Sequence, residues 1–396
     1  MMQVLIDDAF IESRMDRTII DQTYPAAAAA PARRSVEKIA YINQFRALAI
    51  VLVILGHTYD LAWHHFADED PQGTGAWTAL VPALVTGATA YFVFISGFLY
   101  RHIFYGRQSL AGFLRKKVLN VGLPYLLLGS SFALAGLAVG AFEVVLYKEG
   151  VAYPQSDFVT YAALMATGRM MTAYWYIPAI FLIFLASPLF DRYARLALRA
   201  QLAVLALAIG VALLLLRPID NLNPLQSAIY MANFYLLGML YAQHRSAIVA
   251  FTRRIPVLTL LLVSLLGIAL VQALVFQQAD NLERTPTDGW LPPGLDLMLV
   301  QKYAGIFLVC AALARWGHHL GRLTDYLASI SFGLFFVHGA VLAVLIRLPQ
   351  PLSPHFGDPL LDLTAYGLLV IALSTGIVEI VRRLAGRHSR SVIGID

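Results

Sequence analysis

Residues 46–57 read RALAIVLVILGH and lie within an otherwise apolar run from residue 41 to residue 63. In an α-helix these eleven steps are about three turns, so Arg46 and His57 lie on one face, about 16 Å apart along the axis. An ionisable side chain inside a bilayer is costly and is by default a functional residue with a partner elsewhere. The pair therefore predicts a functional site on a membrane helix.

The composition of the 396-residue chain is typical of a polytopic membrane protein. Hydrophobic residues make up 59% of the chain and charged residues 13%, and the mean hydropathy is +0.68. The net charge of +5 is spread over short segments between apolar runs. This spacing indicates membrane topology rather than a nucleic-acid-binding patch, so we expect membrane lipids and no nucleic acid as partners. The single cysteine, Cys310, excludes an intrachain disulfide.

About ten apolar runs are long enough, or nearly so, to cross a hydrocarbon core of about 30 Å. Lys and Arg concentrate in alternate connecting segments, which predicts ten spans with both termini in the cytoplasm. Of the 29 Lys and Arg residues, the segments predicted to lie outside contain only Lys148, Arg169, Arg217, Arg284, Lys302 and Arg347. The predicted spans are 41–63, 77–100, 118–142, 174–190, 201–216, 228–243, 256–276, 297–315, 326–346 and 361–381.

The fold class predicted from these runs is an all-α, polytopic membrane helix bundle with two flanking segments. Residues 1–38 are mixed polar and lack the features of a signal peptide, so we expect a disordered cytoplasmic leader. Residues 39–382 form the membrane domain, and residues 383–396 form a basic cytoplasmic tail. The predicted outer loops are too short for an independent domain, and no feature of the sequence predicts an oligomeric state.

The predicted orientation places Arg46 in the cytoplasmic half of the bilayer and His57 in the outer half. The second span ends in YFVFISGFL and runs inward, so Ser96 and Gly97 lie near the depth of Arg46. A Ser-Gly pair among bulky residues allows close approach, either of another helix backbone or of a ligand.

A basic segment follows the second span and ends in FLRKKVLNVGLPY. Its cations Arg115, Lys116 and Lys117 are either topology signals that contact lipid headgroups or ligands for the phosphates of a soluble cofactor.

Candidate substrate contacts lie toward the predicted outer side. Tyr174, Trp175 and Tyr176 are either part of an interfacial aromatic belt or a platform for sugar rings, and Asp60 is assigned to the same set of contacts.

Two further candidates lie in SFGLFFVH, where Ser331 and His338 share a helix face two turns apart. His338 falls at a depth near that of His57, which suggests a shared polar cavity. The alternative is a structural histidine that bonds a backbone carbonyl.

Other kinds of site find little support in the sequence. The histidines and acidic residues of HHFADED, residues 64–70, lie in a loop without a helical two-histidine motif, so no metal is expected. P-loop, GxGxxG and GxSxG motifs are absent, which argues against an ATP-driven pump and a familiar serine hydrolase.

Taken together, these stretches resemble the acyltransferase-3 family of membrane O-acyltransferases, most closely its surface-polysaccharide and fucose-4-O-acetylase-like branch. The resemblance covers about residues 38–382. Two positions differ from the family pattern: Asn43 replaces an acidic residue often found three positions before the arginine, and Asn120 replaces the second member of a basic pair with Lys117. The matching stretches, in family order, are Arg46-x10-His57, YFVFISGFL, FLRKKVLNVGLPY, YWYIPAIFLIFLASPLF, NFYLLGMLYA and SFGLFFVH.

The resemblance implies an enzyme of the bacterial inner membrane. It would move an acyl group from cytoplasmic acyl-CoA to a hydroxyl of a surface or exported polysaccharide or a lipid-linked precursor. Acetyl-CoA is the expected donor and succinyl-CoA the alternative. His57 would be catalytic with Arg46 as its required partner, and Arg46, Ser96 and the basic segment would bind the donor. A carrier or flippase remains the main alternative, because transporters also bind substrates at buried polar residues; a sensor or scaffold is the other.

Overall fold

The computed structural model describes residues 39–66, 76–143, 145–148, 151–215, 223–273, 296–347 and 359–395. Most of these residues are helical, which confirms the predicted all-α class. The sequence did not predict one small hairpin, in which strand β1 (Val145–Lys148) pairs antiparallel with β2 (Val151–Pro154). The leader predicted for residues 1–38 lies outside the described residues.

Several helices begin at side-chain caps. The side chains of Ser109, Ser156, Asn223 and Asp296 each accept a backbone N–H in the first turn of the helix that follows. Two helices continue as π-helical turns at Tyr100–Phe104 and Val118–Gly122. The α-helices of the described residues are α1 (Ala40–Phe66), α2 (Ala76–Val85), α3 (Thr89–Leu99), α4 (Leu110–Lys117), α5 (Leu123–Ala138), α6 (Asp157–Thr167), α7 (Tyr176–Leu185), α8 (Ser187–Arg195), α9 (Leu198–Leu214), α10 (Pro224–Thr252), α11 (Ile255–Val271), α12 (Leu297–Trp316), α13 (Gly321–Leu345), α14 (Pro359–Ala385) and α15 (Ser389–Ile393).

All ten predicted apolar runs lie mainly in helices. Within the described residues, six helical segments are long and apolar enough to cross a membrane, and the number rises to eight if each of two bent helix pairs is one span. The bent pairs are α7 with α8, at 56°, and α10 with α11, at 100°. The chain is therefore a membrane protein by length and composition, while the count of ten spans and the cytoplasmic termini stay predictions.

Helix α1 occupies the centre of the bundle and packs against α3, α12, α13 and α14. Arg46 of α1 bonds Ala328 of α13, and eleven residues further along α1 the ring of His57 stacks on His338. Helices α1 and α13 therefore run in the same direction and in register. Parallel packing agrees with the predicted topology, in which the first and ninth spans both run outward.

Helices α3 and α10 cross at very short range through two glycines. A Cβ atom on Gly97 would overlap the carbonyl oxygen of Tyr235, and one on Gly238 would overlap the carbonyl oxygen of Phe94. Of the two explanations for the Ser-Gly pair, close approach of another backbone therefore applies to Gly97.

A break at residues 86–88 separates α2 from α3, and α12 stabilises it. Pro82 lies inside α2, and Gly87 has a φ of +75°. Gln301 donates to the Ala83 carbonyl at 2.8 Å, and Lys302 to the Leu84 carbonyl at 3.0 Å. Lys302, predicted in an outer segment, is instead fully buried within α12, where its ammonium binds the Leu84 carbonyl near the end of α2.

The C-terminal residues pack onto the bundle. The predicted membrane domain ended at residue 382, whereas α14 continues to Ala385 and α15 contacts α5, α13 and α14. Ile393 and Ile395 are buried, and the Ser389 hydroxyl donates to the Ile395 carbonyl at 2.9 Å. The last described residues thus contribute to the core.

Candidate active site

The guanidinium of Arg46 lies between α1 and α13, and only some of its N–H groups have hydrogen-bond partners among the described residues. Nη2 donates to the Ala328 carbonyl oxygen, and the side chain is 5% exposed. Nε and Nη1 are buried without a hydrogen-bond partner among the described residues. Because buried, unpaired N–H groups of a cation are costly, this position is suited to an anionic or carbonyl ligand.

A largely apolar cavity lies beside Arg46; its empty space of about 590 Å³ includes part of the open surroundings of the protein. Ser96 and Ser331 add two hydroxyl groups to its lining, and the Ser331 hydroxyl donates at 2.9 Å to the Ala328 carbonyl that Arg46 also binds. The predicted proximity of Ser96 to Arg46 is therefore confirmed. The aromatic part of the wall consists of Phe92, Tyr176, Phe184, Phe332 and Phe335.

His57 lies farther along α1, next to a loop that precedes α7. Its Nδ1 is 3.3 Å from the Thr172 hydroxyl oxygen, within hydrogen-bonding range. Its ring stacks on that of His338, with centroids 5.6 Å apart and planes inclined by 26°. The predicted match in depth between the two histidines is thus confirmed.

His338 is fully buried, and its protonation site can be assigned from its neighbours. Nδ1 is 2.9 Å from the Leu334 carbonyl oxygen, which can only accept, so Nδ1 carries the proton. Nε2 is then the acceptor nitrogen of the neutral ring, and it has no partner among the described residues. The alternative of a histidine bonded to a carbonyl is therefore correct for one nitrogen, while the other remains available to a ligand.

Phe335 connects the cavity with the histidine pair. Its ring lines the cavity and lies 6.2 Å, centroid to centroid, from the ring of His338. Arg46 and His57 are about three turns apart on one continuous helix, so the cavity extends from the arginine toward the histidine pair.

The aromatic residues of the fourth predicted span are buried, so they do not form an interfacial belt. Tyr174, Trp175 and Tyr176 are 0%, 8% and 8% exposed. The Tyr174 hydroxyl donates to the Phe336 carbonyl at 2.9 Å, and neighbouring aromatic rings pack around it. Of the three, Tyr176 alone lines the cavity, beside Ser96.

The three basic residues of α4 differ in how deeply they are buried. Arg115 is exposed, Lys116 is half-buried and Lys117 is 4% exposed. The Lys117 ammonium lies over the rings of Phe104, Phe113 and Phe184, at 5.2, 5.3 and 4.6 Å from their centroids. Since Phe184 lines the cavity, Lys117 is one ring away from it, whereas Arg115 faces the surface.

The two departures from the family pattern have different surroundings. The Asn43 amide donates to the Asp325 carboxylate at 2.7 Å, so an acidic group from α13 lies beside this position. Asn120 is 8% exposed, and its carbonyl oxygen is near Gly394 of the C-terminal segment.

Two sequence predictions fall on side chains that the structure does not describe. Asp60 is in α1, but its side chain lies outside the described part of the structure, as do the side chains of residues 64–70. Among the described residues, no group of three or more His, Cys, Asp or Glu could hold a metal ion.

Sequence reasoning missed Thr172 and Asp325. Both residue types are common in loops and at helix ends, and neither lies in a recognisable motif. Only the packing of distant segments brings them to His57 and Asn43.

The structure is that of an integral membrane protein with an internal polar site. Its central helix carries a buried arginine, with only some of its N–H groups hydrogen-bonded, at one end and one member of a histidine pair at the other. Residues 39–379 match the family model described as an acyltransferase domain. The chain therefore belongs to the acyltransferase-3 family and is a membrane acyltransferase, as the resemblance implied. No curated protein and no solved structure matches the chain.

Proposed function

We propose that this protein is an acyl-CoA-dependent O-acyltransferase of the bacterial inner membrane. It transfers an acyl group, acetyl by default, to a hydroxyl of a cell-surface or exported polysaccharide or of its lipid-linked precursor. One observation carries this proposal: a single helix, α1, presents a guanidinium with two unpaired nitrogens to a cavity and, three turns farther along, an imidazole to a second histidine. The two ends suit two substrates that arrive from opposite sides of the membrane.

The donor occupies the cavity beside Arg46. The cavity wall is apolar and aromatic, which suits the pantetheine arm, and the free N–H groups of Arg46 bind a carbonyl or phosphate oxygen of the donor. Arg115 and Lys116 bind the phosphates at the cytoplasmic surface. Lys117 adds positive potential from behind Phe184 rather than a direct surface contact.

The acyl transfer takes place next to the histidine pair. His57 accepts the proton of the acceptor hydroxyl as that oxygen attacks the thioester carbonyl carbon. The C–S bond then breaks, and the CoA thiolate leaves and takes up the proton. A covalent acyl-histidine is the variant in which acyl transfer to His57 precedes acceptor binding.

His338 orients the acceptor. A neutral ring with its proton on Nδ1 offers a lone pair at Nε2, so it can accept a hydrogen bond from a sugar hydroxyl. In this tautomer the ring has no second N–H, so donation to the oxyanion of the reaction would require a second proton on the ring. Tyr176 and Ser331 line the cavity that the donor occupies.

Succinyl transfer is a second candidate, and the free face of Arg46 favours it. No carboxylate of the described residues pairs with this guanidinium, so a succinyl carboxylate could do so. Purified protein supplied with acetyl-CoA and with succinyl-CoA would differ in the rate of CoA release if the cavity selects one donor.

The test of this function combines mass spectrometry of the surface polysaccharide with an assay of the purified protein. We expect acyl groups on the polysaccharide only when the protein is present. The His57→Ala variant should add none, because it lacks the base that accepts the proton of the acceptor hydroxyl. The variant must be folded and membrane-inserted. Full acylation by His57→Ala would contradict the assigned role. A carrier would release no CoA and transfer no acyl group, whereas this protein should do both.

A further inference from the structure

Thr172 approaches His57 from an unusual loop, residues 168–175, which connects α6 to α7. Ala173 has a φ of +68°, and it is the only non-glycine residue with positive φ among those that the structure describes. This conformation is unfavourable for alanine, and strained backbone of this kind is concentrated at functional sites. The neighbouring Thr172 hydroxyl is the group that meets His57.

Contacts with α13 hold the loop in place. The Tyr174 hydroxyl donates to the Phe336 carbonyl at 2.9 Å. A Cβ built on Gly339 would lie 3.0 Å from Thr172 Cγ2, so the glycine beside His338 lets the loop approach closely. At the start of the loop, Gly168 ends α6 with a φ of +78°. The position of Thr172 is therefore set by the same helix that positions His338.

We propose that Thr172 is a positioning residue for His57; this rests on the proposed role of His57 as the base. The Thr172 oxygen and His57 Nδ1 are 3.3 Å apart, and in the tautomer that this role requires the oxygen accepts the Nδ1–H. The proton on Nδ1 makes Nε2 the nitrogen that removes the proton from the acceptor hydroxyl. The acceptor hydroxyl is the nucleophile and His57 is its base. Thr172 is then the third group, a neutral hydroxyl that orients the base.

The test compares Thr172→Val, which keeps the shape and removes the hydroxyl, with Thr172→Ser, which keeps the hydroxyl. In purified protein with acyl-CoA and acceptor, we expect Thr172→Val to lower kcat about 10- to 100-fold, with the KM for acyl-CoA changed less than about 3-fold. Thr172→Ser should restore kcat to within about 3-fold of wild type. A residue that only supports the fold would not show this division between kcat and KM.

The matched control is Thr252→Val, which removes a buried hydroxyl that bonds only the Ile248 carbonyl of its own helix, at 2.9 Å. Wild-type kcat in Thr172→Val overturns the proposal. Equal losses of kcat in Thr172→Val and Thr172→Ser, with a lowered melting temperature in both variants, overturn the proposal as well. Loss of activity in His57→Ala with none in Thr172→Val refutes only the role of Thr172; full activity of His57→Ala refutes the proposed function itself.

Discussion

Arg46 combines two tasks that only a guanidinium can perform together. One nitrogen bonds the Ala328 carbonyl and fixes the side chain, while Nε and Nη1 remain for a ligand. The planar fork of arginine can serve both partners, whereas the single ammonium of lysine cannot span them. The unpaired N–H groups are thus the feature of this residue that points to a ligand.

Arg46→Lys therefore tests whether the fork binds the donor. We expect the KM for acyl-CoA to rise about 10- to 100-fold, the equivalent of a charged hydrogen bond of about 1.5–3 kcal/mol. Steady-state kinetics of purified protein measures this change. Arg347→Lys, which keeps the charge at an exposed position outside the proposed donor site, is the control and should stay within about 3-fold of wild type. An unchanged KM in Arg46→Lys would exclude donor binding by this fork.

At the scale of the element, the contact between α3 and α10 holds the cavity wall that contains Ser96. The backbones meet directly at Gly97 and Gly238, so neither helix can carry a side chain there. A methyl group at either position would force the helices apart, because the atom that it meets is backbone and cannot rotate away.

We expect Gly238→Ala to lower the free energy of unfolding by about 1–3 kcal/mol. The control is Gly267→Ala in α11, where no atom lies within 4 Å of an added Cβ. Because alanine is the better helix former, this control should be neutral or stabilising by up to about 1 kcal/mol. Thermal unfolding of both variants in detergent gives the comparison, and equal melting temperatures would refute the close contact.

For the whole molecule, the direction of the bundle in the membrane follows from its positive charges. Arg115 and Arg347 are exposed and lie at opposite predicted sides, and the only native cysteine, Cys310, is buried. A membrane-impermeant maleimide applied to spheroplasts should label Arg347→Cys and not Arg115→Cys, and both after lysis. Labelling of Arg115→Cys alone would show that the topology is inverted, with Arg46 in the outer half of the bilayer.

Much of the fold could be predicted, since it depends on local properties. The apolar runs became helices, and the shared depth of His57 and His338 followed from counting residues along two spans. Burial was harder to predict. Lys302 and Tyr174 were expected near the surface of the membrane, yet both are internal. Lys302 binds the Leu84 carbonyl at the end of α2, and the loop that contains Tyr174 brings its hydroxyl to the Phe336 carbonyl of α13. Both carbonyls belong to segments more than one hundred residues away along the chain, so the sequence around Lys302 and Tyr174 does not reveal them.

The sequence alone determined the class of the chain, the central helix and its two ionisable residues, because hydropathy and helical spacing are local and periodic. The tertiary structure decided which residues these two side chains meet. It left Arg46 half-satisfied at a cavity, paired His57 with His338 and brought Thr172 to Nδ1. These neighbours are more than one hundred residues away along the chain. Helix packing and backbone strain select them, and neither is encoded within a single span.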